Sequence, residues 1–335
     1  MATRRFFTTA LPSSPRTVSF IGAPFRYGQQ RAGVERGPTV LRPAIRAAVA
    51  GLGLPFSDLG DIPSPAPPLP AGGGAAPAPA AAAAAAAGAF SRALADAVAA
   101  AAGAGAFPLV AGGDHAVAMG SVAGALRARP GLGVLWVDAH ADINTPTTSP
   151  SGNLHGMPVA VLLGHCAPPA AAAFAGRRGA PPLAPGALVY VGLRDLDAGE
   201  VEAITRLGIA AFTMADVDRL GMAAVMRRAL AALRGRPIHL SFDVDACDPA
   251  VAPGTGTPVP GGLSFREAHT LCEAAADSGR LVSMDVVEVN EELGGGGVTV
   301  ANAASFVASA LGKVTLPPRP AVGRGAPAGA PMPKR

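Results

Sequence analysis

Residues 132–142 read LGVLWVDAHAD, an apolar stretch that runs directly into alternating acidic and imidazole side chains. The part 134–137 is typical of a short buried strand, and alternate residues of an extended segment point to the same side. Asp138, His140 and Asp142 therefore crowd one side of a strand end. A metal ion is the simplest group that compensates their charge, although the stretch alone also fits a solvated turn with capping aspartates.

Two further apolar strands end in the same kind of motif. The strand 238–242 runs into Asp243 and Asp245, and the strand 107–110 runs into GGDH, which ends at His115. Binding sites of open parallel sheets lie at the carboxyl ends of the strands. The three motifs are therefore predicted to converge at one crevice.

The charge of this set predicts a pair of divalent ions. Four aspartates and two neutral histidines carry −4, which two divalent cations balance, and a bridging hydroxide then leaves the cluster at −1. Oxygen and nitrogen ligands without a thiolate suit Mn²⁺ better than structural zinc. Two ions ~3.5–4 Å apart share a water and lower its pKa. The predicted metal ligands are His115, Asp138, His140, Asp142, Asp243 and Asp245.

The rest of the chain predicts an α/β fold with a parallel sheet covered by helices on both faces. Residues 18–312 form the predicted catalytic domain. Residues 1–17 are a basic extension, 62–80 and 167–186 are low-complexity loops rich in Pro and Ala, and 313–335 are a Pro-rich basic tail. Predicted strands are 18–21, 107–110, 134–137, 188–191, 209–212, 238–242 and 281–286. Predicted helices are 39–50, 81–102, 120–128, 199–207, 221–233, 265–278 and 301–311.

Charge and cysteine content limit the partners and the compartment. Ten lysines and arginines lie in residues 1–34 and 313–335, where no acid occurs, so the middle of the chain is net negative despite a total charge of +4. With no basic run among aromatics and no transmembrane-like stretch, we expect neither a nucleic-acid nor a membrane partner. Three scattered cysteines favour a reducing compartment. The cytoplasm is expected, and the acid-free residues 1–17 make a mitochondrial transit peptide the alternative.

The chain resembles the ureohydrolase family, which contains arginases, agmatinases and related guanidino and formimino hydrolases. The resemblance spans about residues 18–312 and implies a three-layer α/β/α domain that binds two Mn²⁺. It also implies the six metal ligands named above. The similar stretches are GGDHAVAMGS, WVDAHADINTP, SGNLHGMPVA, GLRDLDAGE, SFDVDACDP, GTGTPVPGGLSFRE and MDVVEVN.

Within the family, arginases fit best, which implies hydrolysis of a C–N bond of L-arginine to give L-ornithine and urea. Arginine carries an α-carboxylate that agmatine lacks, and a carboxylate needs hydrogen-bond donors. Residues 144–153 resemble the arginase loop whose Asn144, Ser151 and Asn153 positions bind that carboxylate; without the match they would be an ordinary loop. Asp197 and Glu200 match the positions that bind the α-amine.

The resemblance also implies catalytic roles around a metal-bridging hydroxide, the nucleophile. Glu288 would orient the guanidinium, Thr257 would contact it, and Asp142 would accept a hydrogen bond from the hydroxide. His155 would protonate the departing amine, since the ordinary histidine pKa lies near neutrality. The pair 266–267 matches one that joins subunits in arginases, implying a homotrimer or homohexamer. Some positions depart from the common pattern, among them Gly294–Gly297, which predicts a flexible loop.

Three other functions are left open by the sequence. An agmatinase or another guanidino-acid hydrolase would share the metal ligands but would not need the donors of residues 144–153. A catalytically silent protein that binds metal or arginine would share all of the motifs. A two-metal phosphoesterase would need basic side chains near the metals, where these motifs offer little besides Arg194.

Overall fold

The computed structural model describes residues 16–64, 80–166 and 180–316. Most of the predicted extension (1–15), parts of the two predicted loops (65–79 and 167–179) and most of the predicted tail (317–335) lie outside these ranges. Among the described residues, no helix combines the length and apolar character needed to cross a bilayer.

The described residues form one eight-stranded sheet in which every neighbouring pair is parallel. The strand order across the sheet is β2-β1-β3-β8-β7-β4-β5-β6. The strands are β1 Val18–Ala23, β2 Phe56–Asp61, β3 Phe107–Gly112, β4 Gly133–Val137, β5 Leu188–Leu193, β6 Ala210–Thr213, β7 Ile238–Asp243 and β8 Leu281–Val287.

Helices cover both faces of this sheet and form two separate apolar layers. One layer packs α2 to α4, with α5 at its margin, and the other packs α1 and α6 to α9. Successive side chains of β4 point to opposite faces of the sheet and pack into different layers, Trp136 into the first and Leu135 into the second. The helices are α1 Gly37–Gly51, α2 Ala80–Gly103, α3 Ala118–Ala128, α4 Pro158–Leu163, α5 Ala198–Leu207, α6 Met214–Leu220, α7 Met222–Ala232, α8 Phe265–Asp277 and α9 Gly296–Ala310.

The predicted three-layer α/β/α architecture is confirmed, while several local predictions need correction. Strand β2 was not predicted, because it is a partly exposed edge strand that mixes Ser, Asp and Gly with its apolar residues. Helix α4 has only six residues and was also missed. The predicted flexible stretch 294–297 contains the start of α9. A Cβ at Gly296 would lie 2.3 Å from the Cα of Glu291, so close backbone packing requires this glycine.

The strand order places the polar motifs side by side. Strands β3, β8, β7 and β4 are consecutive and occupy the middle of the sheet. Each is buried along its whole length and ends at a residue that precedes or begins a polar motif. The carboxyl ends of these four strands therefore form a single edge on which distant parts of the chain meet.

Two leucines in strands test the assignment of the central and edge strands. Leu109 in β3 is fully buried, whereas Leu59 in β2 is 51% exposed. We expect Leu109→Ala to lower the free energy of unfolding by about 2–5 kcal/mol, because it leaves a cavity between sheet and helices. Leu59→Ala should change it by no more than about 0.5 kcal/mol. Urea unfolding followed by circular dichroism measures both, and equal losses would contradict the assignment.

Candidate metal centre and active site

The first group of polar side chains surrounds His115, which follows β3. Its Nδ1 lies 3.0 Å from Asp138 Oδ2, 3.1 Å from Asp142 Oδ2 and 3.1 Å from Asp243 Oδ2. All four side chains are buried. Although three oxygens are near, Nδ1 has no hydrogen-bond partner of acceptable geometry among the described residues. A buried nitrogen that faces three carboxylates in this way is suited to a shared cation.

The second group lies beside the first and shares Asp138 with it. His140 Nδ1 is 3.3 Å from Asp138 Oδ1 and 3.1 Å from Asp245 Oδ2. One ligand atom per residue lies within 4.8 Å of the others in two sets, His115 with Asp138 and Asp243, and His140 with Asp138 and Asp245, as in a site able to hold a metal ion. Asp138 presents one oxygen to each histidine, so the two groups are neighbours. The structure brings together all six residues that the sequence predicted as ligands.

A buried hydrogen-bond network fixes the tautomer of His115. Ser241 Oγ donates to Asp285 Oδ1 at 2.6 Å and therefore accepts the proton of His115 Nε2 at 2.9 Å. This leaves the lone pair of His115 on Nδ1, toward the carboxylates. Asp285 also accepts from Ser121 and from His239 Nε2, the latter at 2.9 Å. Support of this kind orients histidine ligands in metal sites.

Sequence reasoning missed this network, although a signal was present. Ser241 and Asp285 each occupy a buried position of a central strand, where a polar residue needs a partner. His239 lies in this network rather than among the candidate ligands. Although burial acts to raise the pKa of Asp285, His239 and the other donors hold it below the usual value. The network therefore rests on a buried anion.

Asp138 is itself held by two donors and an aromatic neighbour. Trp136 Nε1 donates to its Oδ2 at 3.0 Å, and the backbone N–H of His140 donates to its Oδ1 at 2.7 Å. The Trp136 ring stacks on the His115 ring with a centroid distance of 4.2 Å. The orientation of the shared carboxylate is therefore set by the strand end rather than by an ion.

Electrostatics favour a cation at this centre. Burial raises the pKa of Asp243 well above its usual value, and the charges of Asp245 and Asp138 raise it further. Burial lowers the pKa of His140 and neighbouring aspartates raise it, with a net rise. Without a metal, these groups are thus driven to take up protons. Mixed oxygen and nitrogen donors, a buried lone pair and uncompensated carboxylates together fit divalent metal ions.

Two residues of the site have strained backbones. Asp142 has φ of +52° and Glu288 has φ of +63°, in the left-handed region that favours glycine. Both follow central strands, and both side chains are buried. Such conformations cost on the order of 1–3 kcal/mol and persist where surrounding structure imposes them, often at functional sites. Here they turn two carboxylates toward His115.

Glu288 connects the metal centre to His155. Its Oε1 accepts from the backbone N–H of His115 at 2.9 Å and lies 3.0 Å from His155 Nδ1. Among the described residues no hydrogen bond uses Oε2, which is 3.9 Å from where a Cβ on Gly256 would stand. Burial lowers the pKa of His155, but Glu288 and the charge of Asp142 raise it, with a net value of about 9. A His155 proton on Nδ1 is thus stabilised by Glu288.

The predicted substrate loop lies beside helix α5. Asn144 is buried, and its Nδ2 donates to Asp197 Oδ2 at 2.8 Å. Ser151 is exposed and Asn153 is half-buried. Glu200 is buried, and its two oxygens accept from the backbone N–H groups of Ile143 at 3.3 Å and Asp197 at 3.1 Å. The structure thus brings the predicted substrate residues 144 and 197 into contact, while Glu200 supports the loop.

Thr257 and Arg194 form hydrogen bonds with the loop that follows β7. Thr257 donates to Asp245 Oδ2 at 2.8 Å, so its hydroxyl contacts a predicted ligand. The guanidinium of Arg194 donates to the backbone oxygens of Asp245 at 2.6 Å and Val259 at 2.7 Å. Cys247 is buried beside them, and burial raises the pKa of its thiol. Arg194 is therefore engaged by the backbone, and Cys247 is an inert thiol.

Comparison with known proteins agrees with this site. The sequence profile described as the Arginase family matches residues 16–312. Arginase-1 of Homo sapiens is 44% identical over 299 residues, which cover 85% of this chain and 88% of the relative. The chain belongs to the arginase family. This membership agrees with the order of the motifs along the chain and with the arrangement of their side chains.

Solved structures of the arginase family have the same fold. The native arginase of Bacillus caldovelox matches with a TM-score of 0.82 at 40% identity, over 90% of this chain and 100% of that chain. The arginase of Entamoeba histolytica, solved in complex with L-ornithine, matches with a TM-score of 0.78 at 30% identity, over 89% and 99% of the two chains. The family match, the shared fold and the His/Asp groups that could hold metal therefore all indicate a member of the arginase family.

Removing the shared carboxylate tests the metal centre. We expect Asp138→Asn to weaken the binding of Mn²⁺ by more than about 100-fold, because it removes the negative charge that both groups share and replaces one ligand oxygen with an NH2 group. Asp218→Asn, on the exposed surface of α6, is the matched control and should bind metal like the unchanged protein. Atomic emission measures the metal content of both variants after dialysis. Full retention of metal by Asp138→Asn would rule out this centre.

Proposed function

We propose that this protein is an arginase that hydrolyses L-arginine to L-ornithine and urea with two Mn²⁺ ions. The observation that carries the proposal is the pair of His/Asp groups that share Asp138, next to a loop of amide and hydroxyl donors. Relatives named arginase, 40–44% identical over most of the chain, support the same reaction.

The metal-binding residues would be His115 and His140 with the four aspartates that surround them. Each histidine group would supply a nitrogen and carboxylate oxygens to hold an ion, and Asp138 belongs to both groups. Divalent ions bound there would supply the nucleophile, by lowering the pKa of water. Together with the acidic ligands, these ions would form a centre that attracts a guanidinium cation.

Glu288 is suited to orient the guanidinium of the substrate. Its Oε1 is engaged by His155 and by the backbone of His115, so Oε2 is the oxygen available to a planar cation. Gly256 faces this oxygen without a side chain, which leaves room for the substrate. The buried carboxylate pairs with a guanidinium by charge-assisted hydrogen bonds. Thr257 would add a polar contact near the guanidinium. Its hydroxyl donates a hydrogen bond to Asp245.

His155 is suited to protonate the departing amine. Glu288 accepts from its Nδ1, which leaves Nε2 as the atom that carries the mobile proton. A pKa raised to about 9 keeps the ring protonated at neutral pH, as a general acid requires. Asp142 lies within the His115 group, where its carboxylate would also hold the attacking water.

The α-amino-acid end of arginine would be recognised by Asn144, Ser151 and Asn153 of the loop and by Asp197 and Glu200 at the start of α5. Asn144, Ser151 and Asn153 offer donors to the α-carboxylate. Asp197, with the support of Glu200, offers a carboxylate to the α-amine. An agmatinase would need no such donors. A phosphoesterase would need a free cation near the metals, and Arg194 is occupied by backbone oxygens.

We also propose a homotrimer or homohexamer of this chain in the cytoplasm. The pair 266–267 that suggests an interface sits in the exposed first turn of α8. Arg266 lies 3.2 Å from Glu273 of the same helix, and Glu267 closes a capping box with Ser264. An exposed ion pair of this kind contributes little within one chain, so its side chains are available to a second copy.

Urea release tests the proposed activity directly. We expect the purified protein to release urea and ornithine from L-arginine, to lose this activity after chelation, and to regain it when Mn²⁺ is added back. Agmatine should be a far poorer substrate, because it lacks the α-carboxylate that the loop binds. A colorimetric urea assay with both substrates measures this. Equal or greater activity on agmatine would favour the agmatinase alternative, and no urea from either would favour a silent metal-binding protein.

Replacing His155 separates proton transfer from metal binding. His155→Asn should reduce kcat by about 100-fold or more, because the general acid is lost, while the manganese content stays unchanged. His165→Asn is the control, since His165 is exposed after the end of α4 and should retain full turnover. Steady-state kinetics and metal analysis check both variants. Loss of manganese in His155→Asn would show that His155 supports the metal centre instead.

A further inference from the structure

Thr148 lies at the centre of the hydrogen bonds that hold the substrate loop. Its Oγ1 donates to Asn144 Oδ1 at 2.9 Å and accepts from the backbone N–H of Thr145 at 2.8 Å. Its own backbone N–H donates to the oxygen of Thr145 at 3.1 Å. The side chain of Thr148 therefore joins the turn 145–148 to the amide of Asn144, and nothing in the sequence pattern singles it out.

The neighbouring carboxylate decides which way the Asn144 amide points. Asp197 Oδ2 lies 2.8 Å from the amide of Asn144, and an ionised carboxylate only accepts hydrogen bonds. The nitrogen of the amide must therefore face Asp197, and its oxygen must face Thr148. Only a donor satisfies that oxygen, and the hydroxyl of Thr148 is that donor.

This arrangement leaves a defined donor for a substrate. Nδ2 of Asn144 carries two protons, of which Asp197 takes one. The second proton is held in a fixed direction because both ends of the amide are bonded. Asn144 is 4% exposed, so a rotated amide would leave buried polar atoms unpaired. An α-carboxylate placed at this proton would lie beside Asp197, which is suited to the α-amine.

A glycine of helix α5 allows Thr148 to reach this position. A Cβ at Gly199 would lie 2.8 Å from the Cβ of Thr148, closer than side chains normally approach. The contact joins the turn 145–148 to the first turn of α5, which follows Asp197. Adding a methyl group at Gly199 must therefore displace the Thr148 side chain.

We propose that Thr148 is a positioning residue for substrate specificity. By fixing the Asn144 amide against Asp197, it makes residues 144 and 197 one unit that selects α-amino acids over amines without a carboxylate. The proposal deepens the proposed function and rests on it for the identity of the substrate. It assigns Thr148 no contact with the metal ligands or the guanidinium end.

Binding of two product-like amines tests this role. L-Ornithine carries the α-carboxylate, and 1,4-diaminobutane is the same molecule without it. In the Mn²⁺-loaded protein, we expect Thr148→Val to weaken L-ornithine binding and raise the KM for L-arginine by about three- to tenfold. Binding of 1,4-diaminobutane and kcat at saturating arginine should not change. Calorimetry and steady-state kinetics measure these quantities.

Three further variants control for general damage to the loop. Thr148→Ser keeps the hydroxyl and should restore ornithine binding. Gly199→Ala, a change in helix α5 rather than in the loop, should cause the same selective loss of L-ornithine binding. Thr147→Val is the matched control, because the Thr147 hydroxyl bonds only to the Thr145 hydroxyl at 2.9 Å among the described residues, and it should behave like the unchanged protein.

The outcomes separate this proposal from the proposed function. Equal weakening of ornithine and 1,4-diaminobutane, or no weakening of either, in Thr148→Val would overturn the role of Thr148. Urea release by the unchanged protein tests the activity independently. If no urea forms while ornithine binding still depends on the Thr148 hydroxyl, the proposed activity is wrong, but the role of Thr148 in substrate recognition is supported.

Discussion

Mutual repulsion of buried carboxylates is the constraint on which this structure depends. Asp138, Asp142, Asp243 and Asp245 are all buried within one small volume, which an apolar interior does not tolerate without compensation. The two histidines offer nitrogen lone pairs or protons, and divalent ions offer the charge. A fold that ends four central parallel strands at the same edge supplies the rigid frame that holds these groups together.

The frame extends well below the ligands. Asp285, Ser241 and His239 form a buried polar layer inside the sheet, and it sets the tautomer of His115 from behind. On the opposite side of the centre, Glu288 links the backbone of His115 to His155. The proposed metal binding, substrate orientation and proton transfer would thus all be connected through short hydrogen bonds to a single histidine, so each would depend on the geometry of the same strand ends.

Motifs of alternating polar residues identified candidate ligands, since groups at i and i+2 of a strand end share a side. The alternation of apolar strands and helices likewise predicted a parallel sheet. Edge strand β2 and the short helix α4 were missed because partial exposure and brevity weaken local patterns. Ser241 and Asp285 were missed because the importance of each depends on a partner in another strand, which the local pattern does not show.

The sequence by itself determined the fold class, the six candidate ligands and the family resemblance, because these follow from local periodicity and from contiguous motifs. Tertiary structure alone decided the strand order, the sharing of Asp138 between two groups, and the pairing of Glu288 with His155. It also decided that Thr148 and Asp197 hold the amide of Asn144. Apart from the local contact of Thr148 with Asn144, these contacts join residues tens to more than a hundred positions apart, and only packing of the sheet and its loops sets such distances.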